Sequence, residues 1–262
     1  MHSGIYRLHS NFDRVLNYTS RDGSLLSLVR PEIGAGPGNI VLTDLPDPAP
    51  PYLEVTEEHI RFGAQSIARA RLKDFDPRLF IESLPSPDKV DDCVRVLLPR
   101  FPPQSLAFLF DPGREQEFET GSQQALRDRL KEGVRLLLTS DPADGARILK
   151  GLGYGLTPSG DDFLCGYLYA LALEGPAQQM NRDAIFDAAR SDNILVNHFL
   201  RAAHRGWFYE HFKAFTRALC EGSGNEVLSA FEQLLTVGAT SGADTAAGLI
   251  IGLRYTTPAT SS

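Results

Sequence analysis

Three aspartates stand just behind serine–glycine pairs, and that placement can support chemistry. Asp161 and Asp162 follow Ser159-Gly160, and Asp244 follows Ser241-Gly242-Ala243. A carboxylate in the first turn of a helix lies beside unpaired backbone N–H groups and the positive end of the helix dipole. There it can accept hydrogen bonds from a substrate amide or amine, or hold a Mg²⁺ ion that bridges phosphate oxygens. The first turn is preceded by Gly151-Leu-Gly-Tyr-Gly-Leu-Thr157-Pro158, and the second by Gly238-Ala-Thr240. A glycine loop feeding a helix start is an anion site. Carboxylates beside it would repel a bare anion, so the ligand carries N–H donors or a cation sits with it.

Capping alone accounts for part of this pattern. Thr157 and Ser159 suit an N-cap, Pro158 suits a first helical turn, and Asp162 lies three residues after Ser159 as in a capping box. Capping does not account for Gly151, Gly153 and Gly155, since glycine costs backbone entropy unless φ > 0 or close approach is needed. Aligned on serine, the two stretches share S-G-x-D-x-x-x-G-x-x-x-small, pairing Gly166 with Gly248 and Ala170 with Gly252. Each aspartate and the next glycine share one helix face. The expectation is two helices crossing at Gly166 and Gly248, both N-termini pointing into one pocket. Asp161, Asp162 and Asp244 are then the candidate catalytic residues. Gly153, Gly155, Thr157, Ser159, Gly160, Thr240, Ser241 and Gly242 are the candidate substrate-binding residues.

Other chemistry is weaker. No Gly-Lys-Ser/Thr follows Gly151, so the loop is not a triphosphate-binding P-loop. A helix rather than a strand precedes it, which argues against a dinucleotide fingerprint. Gly-x-Ser-x-Gly is absent around Ser159, so no nucleophile elbow is expected. His198, His204 and His211 are not spaced as a metal pair. Arg201 and Arg205 share a helix face and read first as a solvated basic stripe; Lys150, beside the loop, is the better cation. Cys165 reads as packing, and Trp207, Phe208, Tyr209 and Phe212 as core or interface. The Gly34–Asn39 loop reads chiefly as a strand connection.

The net charge of −7 argues against nucleic acid or an anionic membrane surface as the main partner. The longest uncharged apolar run, Phe163 to Leu173, is too short to span a bilayer. The N-terminus lacks a signal-peptide core. Cys93, Cys165 and Cys220 form no C-x-x-C pair and read as reduced thiols of a cytoplasmic protein.

These residues must be positioned by two kinds of element. Up to about residue 110, short apolar runs alternate with turn residues: 25–30, 40–43, 52–55, 59–62 and 66–70 read as strands. Seven of the 17 prolines lie between Pro31 and Pro77. This part is expected to be a β-sandwich or barrel-like domain, 1–110, with one helix at 87–98. Pro99 to Gly113 holds four more prolines and is the expected boundary. Beyond it, helical spacing takes over at 122–138, 143–150, 163–173, 183–190, 193–205, 209–219, 226–235 and 242–254. Thr256 to Ser262 reads as a frayed tail. Segregated strands and helices mean an α+β fold, with a helical domain 111–262 carrying both S-G-x-D turns.

The string Gly151 to Asp162, with Thr240 to Asp244 about eighty residues on, closely resembles the AllH family, named for a subunit of oxamate carbamoyltransferase; some members are labelled carboxylases. The Gly-Pro-Gly-Asn-Ile-Val stretch at 36–41 is similar to the family's N-terminal signature. The resemblance implies a carbamoyltransferase-like enzyme of allantoin (purine) degradation. Oxalurate and phosphate would give oxamate and carbamoyl phosphate, usually within a multi-subunit complex. Carbamoyl phosphate and oxamate are small anions with N–H₂ groups, so helix N-termini and carboxylates would both be of use. Two positions depart from the pattern. Tyr154 stands where the loop is expected to have proline, and Ala239 where relatives often place a histidine. Two other readings stand beside this one: a non-catalytic anion-binding subunit, and a Mg²⁺-dependent hydrolase built on the three aspartates.

Overall fold

The computed structural model describes residues 2–139 and 141–256. The chain forms two compact units, 1–77 and 78–262.

The first unit is one curled, half-barrel sheet of seven strands. They are β1 (Gly4–Phe12), β2 (Val15–Thr19), β3 (Leu25–Val29), β4 (Asn39–Val41), β5 (Tyr52–Val55), β6 (His59–Phe62) and β7 (Gln65–Ala68), in spatial order β4-β3-β2-β1-β5-β6-β7. Pairing is antiparallel except between β3 and β4. Of the two expected forms, the sheet is the barrel-like one. Its core gathers Tyr6, Leu16, Tyr18, Leu26, Leu28, Ile40, Leu53, Val55, Ile60 and Phe62. The buried Tyr18 hydroxyl donates to Pro50 O (3.1 Å). The buried pair Asn17 and Ser27 is satisfied internally, Ser27 Oγ donating to Asn17 Oδ1 (2.7 Å). The Gly34–Asn39 loop carries β3 to β4. Gly34 and Gly38 take φ near +83° and +82°, and Asn39 Nδ2 donates back to Gly34 O (3.0 Å).

The second unit is helical. Its helices are α1 (Pro87–Leu97), α2 (Gly121–Leu137), α3 (Pro142–Leu149), α4 (Ser159–Leu173), α5 (Gln179–Ala189), α6 (Ile194–His204), α7 (Glu210–Glu221), α8 (Gly224–Leu234) and α9 (Ser241–Thr256). The α+β reading and the helical periods match this architecture. Side chains cap several starts: Ser86 accepts from Lys89 N, Thr120 from Gln123 N, Asp141 from Asp144 N and Asn193 from Val196 N.

The expected boundary near residue 110 and the division at 77/78 differ for a packing reason. Val90, Cys93, Val94 and Leu97 of α1 bury themselves in the helical core. The proline-rich stretch after them winds into 3₁₀ turns at Leu98–Arg100, Leu106–Leu109 and Pro112–Glu117. It brings Phe101, Leu106, Ala107, Phe108 and Phe118 into the same core. Beyond Thr256, the expected tail lies outside the described residues.

The middle of this unit is α4, buried on nearly all sides from Gly160 to Leu171. A helix apolar all round must be enclosed by others. It packs most closely against α9, itself buried from Gly242 to Leu253 except at Thr245.

Candidate functional site

The glycine loop has the backbone its composition called for. Gly151, Gly153 and Gly155 take φ of +72°, +130° and +84°. At Gly153 a Cβ would lie 2.4 Å from Ser159 N, so the loop folds back onto the helix start. Tyr154 and Leu156 at its tip are exposed.

The expected N-cap is different. Pro158 occupies the cap position, and no side chain caps α4. Pro158 O accepts from Asp161 N (2.9 Å) and Asp162 N (3.0 Å). With Ser159 as the first helical residue, the Thr157 and Ser159 hydroxyls are released from capping. Thr157 Oγ1 lies 3.0 Å from Ser241 Oγ, at the start of α9, in a hydrogen bond spanning 84 residues. The two helix starts therefore meet.

What holds them together is the absence of side chains between the helices. A Cβ on Gly166 would lie 1.9 Å from Thr245 O, and one on Gly248 would lie 2.0 Å from Phe163 O. One turn further on, a Cβ on Gly252 would lie 2.3 Å from Ala170 Cβ. The helices thus cross backbone to backbone at the glycines that the sequence alignment paired. Gly160 and Gly242 serve a similar end behind the crossing. Each presses on the last carbonyl of the preceding helix, Leu149 O and Leu234 O, where a Cβ would come within 2.1 and 2.3 Å. Their N–H groups are also engaged, with Leu152 O (2.8 Å) and Val237 O (3.2 Å).

The three aspartates are all buried, and each has a different environment. Asp161 turns back, and both its oxygens accept from the Gly151 N–H (3.1 Å each). Burial pushes its carboxyl up to about 6, against the pull of that N–H and of Lys150. Asp244 Oδ1 accepts from the N–H of Leu106 (2.8 Å), at the start of a 3₁₀ turn. Burial pushes it up to about 6 as well, against the Leu106 N–H and the Ser159 and Thr240 hydroxyls. Asp162 is pushed well above the usual carboxylate range, first by burial and then by the charge of Asp244; the Ser241 and Thr157 hydroxyls pull it back. Each serine thus serves the aspartate of the other turn. Asp162 Oδ2 and Asp244 Oδ2 are buried without a hydrogen-bond partner. An unpaired buried carboxylate oxygen is costly, and here two coupled acids each hold one.

That donor set bears on the metal question. Among the described residues, no group of three or more His, Cys, Asp or Glu side chains is arranged to hold a metal ion. Asp162 and Asp244 would supply two oxygens, and ligand and water oxygens would have to complete a Mg²⁺ shell.

The remaining candidates lie outside this cluster or serve the fold. His204 Nε2 pairs with Asp183 Oδ1 (2.6 Å), and its ring stacks on Phe186. Lys150 Nζ donates to Arg190 O (3.3 Å). Cys93, Cys165 and Cys220 are free, buried thiols, each raised chiefly by burial. No helix among the described residues is long and apolar enough to cross a membrane. The contact that sequence reasoning missed is Leu106 N–H on Asp244, which joins residues 138 apart and leaves no local signal.

Residues 149–253 match the AllH family model, described as oxamate carbamoyltransferase subunit AllH. The match is to the segment that carries the resemblance. It opens at Leu149, whose carbonyl meets Gly160, and ends in α9 at Leu253. Both S-G-x-D turns and the positions Tyr154 and Ala239 lie within the matched residues. The description suggests a carbamoyltransferase-related protein that works with partner subunits. No solved structure matches the chain.

Proposed function

We propose that the chain is a carbamoyl-handling transferase subunit that binds its substrate where α4 and α9 begin. The observation that carries this reading is the pair of unpartnered carboxylate oxygens, Asp162 Oδ2 and Asp244 Oδ2, within the matched residues. Two buried acceptors facing the end of a polar turn suit a ligand with N–H donors. The ureido group of oxalurate and the N–H₂ of carbamoyl phosphate or oxamate both provide them. The half-buried hydroxyls of Thr157, Ser159, Thr240 and Ser241 and the loop at Gly153 and Gly155 hold the anionic end. Asp161 is a positioning residue, fixing the loop through Gly151.

In the direction that consumes oxalurate, a phosphate oxygen attacks the ureido carbon. The bond from that carbon to the oxamoyl nitrogen breaks, and that nitrogen takes a proton. Carbamoyl phosphate and oxamate result. Asp162, the acid most ready to hold a proton, delivers it and regains one from the phosphate. The test is turnover of oxalurate and phosphate, with partner subunits present, in Asp162→Asn and Asp244→Asn. A loss of about 10²-fold or more in Asp162→Asn is expected; unchanged turnover in both variants rejects these roles.

The description of the matching model as a subunit supports a second reading, in which this chain binds the anion and a partner carries the chemistry. Thermal shift of the isolated chain with carbamoyl phosphate, oxamate, phosphate and Mg²⁺ separates the two. Binding without turnover until partner chains are added favours the second, and ligand binding abolished by chelator favours a metal-dependent hydrolase instead.

A further inference from the structure

A pocket of about 340 Å³ opens at the other end of α4, where Ala172 and Leu173 meet the 78–81 and 205–208 segments. It lies about 16 Å along the helix from Asp162, taking 1.5 Å per residue. Three guanidinium side chains line it, those of Arg78, Arg182 and Arg205, beside the apolar surfaces of Phe80, Leu173 and Phe208. The arginines are brought in from three separate segments: the strand-like bridge Arg78–Trp207, helix α5 and the end of α6.

Arg182 and Arg205 form no salt bridge among the described residues. Arg182 donates through Nη2 to the neutral Gln179 side chain, and its Nε is buried without a hydrogen-bond partner. Burial lowers its pKa, against the pull of Asp183. Asp183 itself is directed at His204. The Arg205 guanidinium lies over the Trp207 ring, 4.8 Å from its centroid, which leaves its edge for a ligand. A planar carboxylate or a phosphate in the pocket would meet the guanidinium groups in the fork geometry they prefer.

We propose that this pocket is a second ligand site, for a small organic anion that joins a carboxylate or phosphate to a flat apolar body. The guanidinium groups of Arg182 and Arg205 take the anionic head. Phe80, Leu173 and Phe208 cover the body, the mix of apolar walls and few polar anchors usual for such sites. The site is separate from the carboxylate pair and does not depend on the function proposed for it.

The experiment is calorimetric titration of the full chain with phenyl phosphate, benzoate and inorganic phosphate. Native protein and Asp162→Asn should bind phenyl phosphate or benzoate with one-to-one stoichiometry and more tightly than inorganic phosphate. Arg182→Gln and Arg205→Gln should each weaken that binding by about tenfold or more. Arg205 is exposed, so its variant reports on binding even if Arg182→Gln fails to fold. No binding of either organic probe up to about 10 mM would overturn the proposal. So would binding that is unaltered in Arg205→Gln, or lost in Asp162→Asn. The two organic probes tell a carboxylate head from a phosphate head.

Discussion

The turn that opens α4 and the turn that opens α9 have nearly the same frame. In each, a glycine after serine presses on the last carbonyl of the preceding helix, and the aspartate N–H returns to the residue before serine, Pro158 O or Thr240 O. They differ in what the aspartate then does. Asp244 spends one oxygen on the Leu106 N–H, tying the 3₁₀ turn at Leu106–Leu109 to α9. Asp162 faces hydroxyls and a neighbouring charge, and it is the more strongly raised acid. The α4 turn also has a second acid, Asp161, clamping Gly151, where the α9 turn has Ala243. One turn therefore anchors the fold with its aspartate, whereas the other leaves its aspartate among hydroxyls and beside a second acid.

The comparison can be broken at its shared frame or sharpened at its acids. The largest effect is expected from Gly248→Ala, which drives a methyl group into Phe163 O at the crossing. Overpacking of this kind costs about 3 kcal/mol or more, read as a lower denaturation midpoint; an unchanged midpoint would refute the backbone contact. Next come the two aspartates in parallel, measured at pH 7.5. Asp244→Ala leaves the buried Leu106 N–H without an acceptor and should cost about 2 kcal/mol. Asp162→Asn replaces a buried acid with a neutral side chain of the same shape and deserts no backbone donor, and should match or exceed the native stability. Equal losses in both would erase the distinction drawn here.

The smallest effect is in pH dependence. Asp161 and Asp244 have folded pKa values raised to about 6, above the unfolded value of about 3.9. The folded state therefore binds protons more readily. The stabilisation is fully present below the unfolded pKa and is lost as pH rises through about 6. Lowering pH from 7.5 to 5 should raise stability by about 1 kcal/mol for each group, followed by thermal melts across that range. A fall in stability over the same interval would contradict the burial assigned to them.

Much of this frame was legible in the sequence because it rests on local signals. Helical period located the helices to within a few residues, and glycine with small residues four apart located the crossing. Other features were hidden for identifiable reasons. Strands β1 and β2 escaped because Gly4–Phe12 mixes exposed polar and apolar positions, with a register shift between Leu8 and Ser10. The cap was misread because Thr157, Pro158 and Ser159 all suit a helix start, and only the backbone decides among them. The Asp244–Leu106 bond and the arginine pocket join segments distant in sequence, which no local pattern encodes. The prolines of 99–113 suggested a boundary, and Phe101, Leu106 and Phe108 of that stretch lie in the helical core.

The glycine crossing lies one turn below both Asp162 and Asp244, and it acts as a fulcrum. No side chain cushions the two helices there, so main-chain geometry alone sets how far apart the acids stand. Redesigning the surrounding core would not retune that spacing. An engineer who wished to widen the cleft would have to alter the angle between the helices themselves.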